Sequence, residues 1–146
     1  MNNKSININY WAVIVTGLVA FALSLMWYSP ILFGKIWIAY RNPSAQTSPG
    51  WTMLFAPLRE LIVSYVVALL ITRLMLTNWK SAVTLIFLLW LAFHAVGMAG
   101  AIIWDNMPWR LGAVHAGDWL MKMLFMAIVL SIWHNNKSLS ITKVEQ

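Results

Sequence analysis

Three ionisable side chains lie one helical turn apart in the last long apolar segment of the chain: His115, Asp118 and Lys122. Residues three or four positions apart share one face of a helix, so these three form one polar stripe. A lysine near the middle of a bilayer crossing costs roughly 2.5 kcal/mol or more, so it normally has a partner. An acid four residues before a base is the favourable order for such a pair. The spacing therefore predicts an Asp118–Lys122 ion pair that faces other helices and not lipid.

Three further ionisable side chains fall inside apolar segments, namely Arg59, Glu60 and His94. Counting inward from one membrane face at about 1.5 Å per residue places Glu60 level with His115, and His94 level with Lys122. Ionisable groups within a membrane usually face a bundle interior or a wet cavity. We therefore predict a polar pocket that opens at the face opposite the termini. Its candidate residues are Arg59, Glu60, His94, His115, Asp118 and Lys122.

The same residues also fit a purely structural interpretation. Arg59 and Glu60 could be solvated by lipid headgroups, and His94 could be a neutral ring bonded to a neighbouring helix. The ion pair in the last segment could fix the register of that helix, since buried ion pairs are better evidence for a specified arrangement than for stability. At the level of sequence both interpretations stay open.

Motifs that require a fixed spacing are absent from the sequence. There is no cysteine, which excludes disulfides, thiolate metal sites and cysteine nucleophiles. There is no zinc-binding histidine spacing, no phosphate-binding loop and no nucleophile elbow. Haem ligation by His94 and His115 fails because their expected depths differ by about 10 Å. We therefore assign no catalytic residue, no cofactor and no metal ligand, and the chain is more typical of a non-enzymatic protein.

The composition indicates an integral membrane protein. Of the 146 residues, 61% are hydrophobic and 10% are charged, and the mean hydropathy is +0.72. A soluble domain carries about 45–50% apolar and about 25% charged residues. The net charge of +6 comes from Lys and Arg that are scattered, mostly at the ends of apolar segments. That distribution is typical of snorkelling anchors beside anionic lipid, so we predict membrane lipids as partners and no nucleic acid.

The hydropathy pattern predicts one all-α integral membrane domain over residues 1–146, a bundle of four transmembrane helices. The apolar segment at about 31–40 is too short to span a bilayer, so we expect a short interfacial segment after the first helix. Residues 41–50 form a polar loop, and residues 135–146 a polar tail. The four predicted crossings are about 10–28, 53–76, 81–104 and 112–133.

Four crossings place both termini on the same side of the membrane. Five Lys and Arg residues then lie on the terminal side and four on the other, counting those at segment ends. The positive-inside rule therefore favours cytoplasmic termini. Small side chains recur at every fourth residue of the first crossing and predict a smooth face for close helix packing. They are Ala12, Thr16, Ala20 and Ser24.

Two sequence motifs point to a known family. They are NYWAV at residues 9–13 and WYSPILFGKIW at residues 27–37. Together with the Pro108-Trp109 turn and the last helix that carries Asp118, they resemble the bacterial membrane protein family DUF1761, whose function is unknown. The resemblance covers most of the chain. It implies a compact protein of four transmembrane helices, and it implies no activity.

Three functions remain open for such a protein. The first is a non-enzymatic protein that binds a lipid, a small hydrophobic ligand or a partner membrane protein through an intramembrane polar pocket. The second is a proton-coupled transporter or a channel-like homo-oligomer, in which Asp118 and His94 relay protons beside Lys122. The third is a membrane-embedded enzyme that uses Glu60, His115 or Asp118 as acid or base on a lipidic substrate. We favour the first.

Overall fold

The structure is a computed structural model that describes residues 8–41, 50–76 and 78–144, and the side chains of these residues other than Thr52 and 134–144. In this part of the chain the secondary structure is helical throughout, with no β-strand. A 3-10 turn, Gly50–Leu54, precedes α3, and a π-helical turn, Trp90–Ala95, joins α4 to α5. The α-helices are α1 (Tyr10–Trp27), α2 (Gly34–Tyr40), α3 (Phe55–Arg73), α4 (Trp79–Leu89), α5 (Val96–Trp104) and α6 (Trp109–Val144).

Four of the helical stretches are long and apolar enough to cross a membrane. The first, second and fourth contain 18, 19 and 25 residues, and the third, which includes the π-helical turn, contains 26. An all-helical fold with four long apolar helices is therefore confirmed, with ends within a few residues of those predicted. The four stretches are Tyr10–Trp27, Phe55–Arg73, Trp79–Trp104 and Trp109–Trp133.

Polar caps and turn residues set the helix ends. The side chain of Asn9 accepts a hydrogen bond of 3.3 Å from the backbone N–H of Ala12, which caps α1, and Asn78 caps α4 in the same manner. The chain leaves α1 at Ser29-Pro30, as the proline predicts. It then returns so closely that a Cβ at Gly34 would collide with the carbonyl oxygens of the preceding turn. This glycine thereby allows α2 to begin directly against the end of α1.

Helix α6 lies at the centre of the bundle and packs against every other α-helix. Helix α1 also packs closely against α3, and a Cβ at Gly17 would lie 2.9 Å from the side chain of Leu61. The predicted small-residue face of α1 is buried in these contacts, with exposures of 0–6%. Its residues are Ala12, Thr16, Ala20 and Ser24.

The two ends of the bundle differ in character. Ile8 packs in one apolar cluster with Ile71 and Leu130, so the start of α1 lies beside the later part of α6. We call this the terminal end. Trp27 instead bonds to Val114 near the start of α6, which defines the opposite end of the bundle, the α2 end. The apolar cluster of the terminal end comprises Ile8, Ala12, Val13, Ala20, Val67, Ala68, Ile71, Ala82, Ile86, Met126, Ala127 and Leu130.

Two features of the helices differ from the expectations drawn from sequence. The third crossing is not a uniform α-helix, because residues Trp90–Ala95 form a π-helical turn. Helix α6 continues to Val144 through most of the predicted polar tail, since no Gly or Pro interrupts residues 134–144. The predicted interfacial segment contains the short helix α2. Residues 42–49, most of the predicted polar loop, lie outside the described part of the chain.

Candidate functional site

The Lys122 ammonium lies at the centre of a buried cluster of charges. Its Nζ is 2.8 Å from Oε1 of Glu60 and 2.9 Å from Oδ2 of Asp118, and the three side chains are at most 1% exposed. Arg59 extends the cluster, with Nη2 2.7 Å from Oε1 of Glu60. We refer to Arg59, Glu60, Asp118 and Lys122 as the ionic quartet. Its two positive and two negative charges sum to zero, which makes the burial of each charge tolerable.

Two parallel helices build the quartet. Helix α3 supplies Arg59 and Glu60, and α6 supplies Asp118 and Lys122, and both helices run from the α2 end toward the terminal end. Long side chains on a helix point back toward its N-terminus, so the Lys122 ammonium reaches toward the preceding turn, where Asp118 lies. The Asp118–Lys122 pair that the spacing predicts is therefore present, and the neighbouring helix supplies a second carboxylate.

Ser24 and Trp119 complete the surroundings of the quartet. Ser24 of α1 donates a hydrogen bond of 2.6 Å to Oδ1 of Asp118. The ring of Trp119 lies 4.3 Å from Nζ of Lys122 and 5.2 Å from Cζ of Arg59, measured to the ring centroid. Cations are attracted to the face of an indole ring, and more strongly when water is excluded. Trp119 therefore stabilises both cations of the quartet.

The two carboxylate oxygens of Glu60 differ in their hydrogen bonding. Its Oε1 accepts from Nε of Arg59 at 3.1 Å, from Nη2 of Arg59 at 2.7 Å and from Nζ of Lys122 at 2.8 Å. Its Oε2 is buried and has no hydrogen-bond partner among the described residues. Buried carboxylate oxygens are normally bonded. This oxygen is thus an acceptor that an internal water molecule can bond.

Tyr28 and His115 form the polar wall next to the quartet. The Tyr28 hydroxyl and Nδ1 of His115 are 2.8 Å apart, and either group can donate, depending on the histidine tautomer. The preceding residue, Trp27, donates from Nε1 to the carbonyl of Val114 at 3.1 Å. These two bonds fasten the end of α1 to the start of α6, so the wall is held in place by adjacent residues.

His94 makes no ion pair or hydrogen bond with the quartet among the described residues, although the sequence places it in the same pocket. It belongs to the π-helical turn, and its ring packs on the Trp119 ring at a centroid distance of 5.1 Å. Its Nε2 is buried without a hydrogen-bond partner among the described residues. Trp119 therefore has both the quartet cations and His94 as neighbours, and His94 contributes nothing to the wall of the cavity described next.

A cavity of about 440 Å³ opens beside the quartet at the α2 end. Three of the six predicted pocket residues line it, namely Arg59, His115 and Asp118, whereas Glu60 and Lys122 are fully buried behind them. We refer to this space as the quartet cavity. Its lining comprises Phe21, Ser24, Leu25, Tyr28, Trp37, Ala56, Arg59, His115, Asp118 and Trp119.

Sequence reasoning missed the aromatic and hydroxyl members of this lining as site residues. Ser24 is predicted as a packing residue of the first crossing, and neither Tyr28 nor Trp119 is among the candidate pocket residues. A signal existed for Trp119, because it follows Asp118 directly and precedes Lys122 by three positions. Ser24 lies on α1 and Tyr28 lies at the C-terminal end of that helix. Only the packing of α1 against α6 brings these two residues to the site.

Within the described residues, this arrangement places charged and polar groups where a polar ligand can reach them. No cluster of three or more His, Asp or Glu side chains among them is placed to bind a metal ion. The Arg59 side chain is 41% exposed and is the most accessible charge of the quartet. Its Nε and Nη2 are directed to Glu60, which leaves Nη1 for a ligand.

The comparisons with known proteins yield one match. The model of the family DUF1761, described as a protein of unknown function, matches residues 11–131. That range contains all of the quartet and every residue that lines the quartet cavity. No curated protein and no solved structure matches the chain.

Proposed function

Since this chain belongs to the DUF1761 family, whose description names no function, we propose a function from the geometry of its site. The protein is a multi-pass protein of a bacterial inner membrane that binds a small amphiphilic molecule in the quartet cavity, without chemical turnover. The observation that carries this proposal is the contrast within the lining. Arg59 and Asp118, each paired with a buried charge, form the polar part together with Ser24 and His115, and apolar and aromatic side chains form the rest.

Membrane insertion is supported by the four apolar helices and by the surface of the bundle. Many large apolar side chains are exposed around the helices, including Leu18, Val66, Phe93 and Ile132. A soluble monomer rarely presents such continuous apolar surface, whereas lipid is its natural solvent. The terminal end faces the cytoplasm in this proposal, following the small excess of Lys and Arg there.

The cavity suits an amphiphile with a hydrogen-bond-accepting head. Its volume of about 440 Å³ falls within the range of roughly 300–1,000 Å³ that is typical of small-molecule sites. Arg59 can donate to a carboxylate, phosphate or carbonyl group at the head of the ligand. Phe21, Leu25 and Trp37 offer apolar contacts to the remainder. A lipid or a small hydrophobic compound with a polar head meets both requirements.

The test is a substitution that fills the quartet cavity and leaves the four charged residues of the quartet unchanged. Ala56 is half-buried and lines the cavity, so Ala56→Phe would occupy space that the ligand needs. Ala22 is exposed on α1 outside the cavity, so Ala22→Phe is the matched control. We expect mass spectrometry of the purified proteins to show a small amphiphile with the wild type and the control, and its loss from Ala56→Phe. Retention of the same compound by Ala56→Phe would contradict the proposal.

A second candidate is proton-coupled transport, and the observation that favours it is the π-helical turn beside Trp119. This turn contains His94, whose Nε2 is buried without a hydrogen-bond partner among the described residues, and π-helical turns recur at functional sites. The apolar cluster closes the terminal end, so transport would require a second conformation. Uptake of a candidate amphiphile into liposomes that depends on a pH gradient would favour this function. An enzyme is the weaker alternative, because Glu60 is fully buried and bonded to two cations.

A further inference from the structure

A second cavity lies on the other side of α2 from the quartet cavity, between α2 and α6. It measures about 390 Å³, and Arg110 is the one charged side chain in its lining. Ile36 of α2 lines this cavity, whereas the next residue, Trp37, lines the quartet cavity. The full lining is Trp27, Phe33, Ile36, Trp109, Arg110, Ala113, Val114 and Gly117.

The cavity is preformed by rigid aromatic side chains opposite small residues. Ala113 and Gly117 lie one turn apart on α6, and because both residues are small they leave a depression in the surface of this helix. A Cβ at Gly117 would lie 2.7 Å from Cζ2 of Trp27, so the indole packs directly on the helix backbone. Phe33 supports that indole at a ring-centroid distance of 4.4 Å. No side chain of the described residues fills the space that remains.

Arg110 supplies a positive charge that the described residues leave without a carboxylate. Its Nη1 donates to the Tyr40 hydroxyl at 2.8 Å, and its guanidinium lies 5.5 Å and 5.7 Å from the ring centroids of Trp109 and Tyr40. It is exposed and makes no salt bridge within the part of the chain that the structure describes. These contacts orient the guanidinium at the end of the helix, where the lipid headgroups lie in a membrane.

We propose that the cavity between α2 and α6 binds an acidic phospholipid, with an acyl chain along Ala113 and Gly117 and the phosphate held by Arg110. An apolar cavity on the outer surface of a membrane bundle is accessible to acyl chains. The planar guanidinium matches a phosphate with two parallel hydrogen bonds. A guanidinium without a carboxylate partner among the described residues also attracts a headgroup of net negative charge more strongly than a zwitterionic one. This lipid site is separate from the quartet cavity and does not depend on the function proposed for that cavity.

Native mass spectrometry tests the acyl-chain part of the site. The full-length protein is titrated with phosphatidylglycerol and with phosphatidylcholine of identical acyl chains. Ala113→Leu fills the cavity, and Ala99→Leu places the same side chain at an exposed position of α5. We expect Ala113→Leu to abolish the tightest phosphatidylglycerol adduct and Ala99→Leu to retain it. If the leucine variant does not fold, Ala113→Met tests the same position with a more flexible side chain.

The contact between Arg110 and the lipid headgroup is tested by removing the positive charge of this side chain. Arg110→Gln should weaken phosphatidylglycerol binding about tenfold, toward the affinity for phosphatidylcholine, since a charge-assisted bond is lost. The control is Arg73→Gln, which removes an exposed arginine at the end of α3. Unchanged phosphatidylglycerol binding by Ala113→Leu, or an unchanged preference between the two lipids in Arg110→Gln, overturns the proposal. Ala56→Phe should leave this binding unaltered, which separates the result from that for the quartet cavity.

Discussion

At the scale of single residues, Lys122 determines how the interior of this protein must be arranged. Its ammonium is shared by Glu60 and Asp118, and neither carboxylate has appreciable access to solvent. Replacing Lys122 would leave two buried carboxylates with Arg59 as their remaining cation. Breaking a buried pair from one side costs about 3–5 kcal/mol, because the remaining charge is left uncompensated.

We therefore predict non-additive effects of Lys122→Met and Asp118→Asn on the free energy of unfolding. Lys122→Met alone should destabilise by about 3–5 kcal/mol, and Asp118→Asn alone by a smaller amount. The double variant should be more stable than Lys122→Met alone, because the Arg59–Glu60 contact of 2.7 Å keeps the remaining charges paired. Unfolding in detergent measures all three variants, and additive losses would refute the pairing.

The sequence predicts part of this arrangement and misses the rest for a physical reason. The Asp118–Lys122 pair follows from a spacing of four residues, which is local information. The bonds from Glu60 to Lys122 and from Ser24 to Asp118 join residues that lie 62 and 94 positions apart. Such contacts depend on how the helices pack, and periodicity within one helix does not reveal the partner. His94 is a second example. Its expected depth matches that of Lys122, but the sequence does not reveal that its ring packs on Trp119 or that it stays out of the lining of the quartet cavity.

At the scale of secondary-structure elements, the space around a glycine shows whether that part of its helix packs closely against a neighbour or is exposed. A Cβ at Gly17 would lie 2.9 Å from Cδ2 of Leu61 and 3.3 Å from the carbonyl oxygen of Glu60, so α1 approaches α3 at backbone distance. A Cβ at Gly97 of α5 would meet no atom within 4 Å. The two glycines are alike in sequence, since each lies inside an apolar segment, but their surroundings are opposite.

We predict that Gly17→Ala destabilises the protein by about 1–3 kcal/mol, because the added methyl group forces α1 and α3 apart next to Glu60. Gly97→Ala should be neutral or stabilise by up to about 1 kcal/mol, since alanine favours the helix and clashes with nothing. Melting temperatures of the two variants in one detergent provide the measurement. Equal shifts would contradict the close approach of α1 and α3.

Helix type was less predictable than helix position. Apolar periodicity and length identify the four long helices, since each is long enough to cross a bilayer. The π-helical turn Trp90–Ala95 is apolar like its flanking helices except for His94, and it contains no Pro or Gly. Nothing local marks it, so the sequence predicts an unbroken helix there. The side-chain bond from Nε1 of Trp90 to the carbonyl of Ala116, at 3.1 Å, is again a tertiary contact.

At the scale of the whole molecule, the absence of cysteine allows the topology to be measured directly. Ser81 is exposed near the start of α4 at the terminal end, and Asp105 is exposed between α5 and α6 at the α2 end. We predict that an impermeant thiol reagent labels Asp105→Cys in intact cells and labels Ser81→Cys only after the membrane is permeabilised. The reverse pattern would overturn the orientation, and labelling of both from one side would overturn the four crossings.

In the membrane location that we propose, the charge balance of the quartet has a consequence for the response of the protein to membrane voltage. One elementary charge that moves through the full membrane field changes energy by about 2.3 kcal/mol per 100 mV. Arg59, Glu60, Asp118 and Lys122 carry no net charge, so a shift of the quartet as a unit does no electrical work. Glu60→Gln leaves one positive charge in that unit. Binding of an uncharged amphiphile should therefore be indifferent to potential in the wild type, and it becomes voltage-dependent in Glu60→Gln if the quartet moves along the membrane normal.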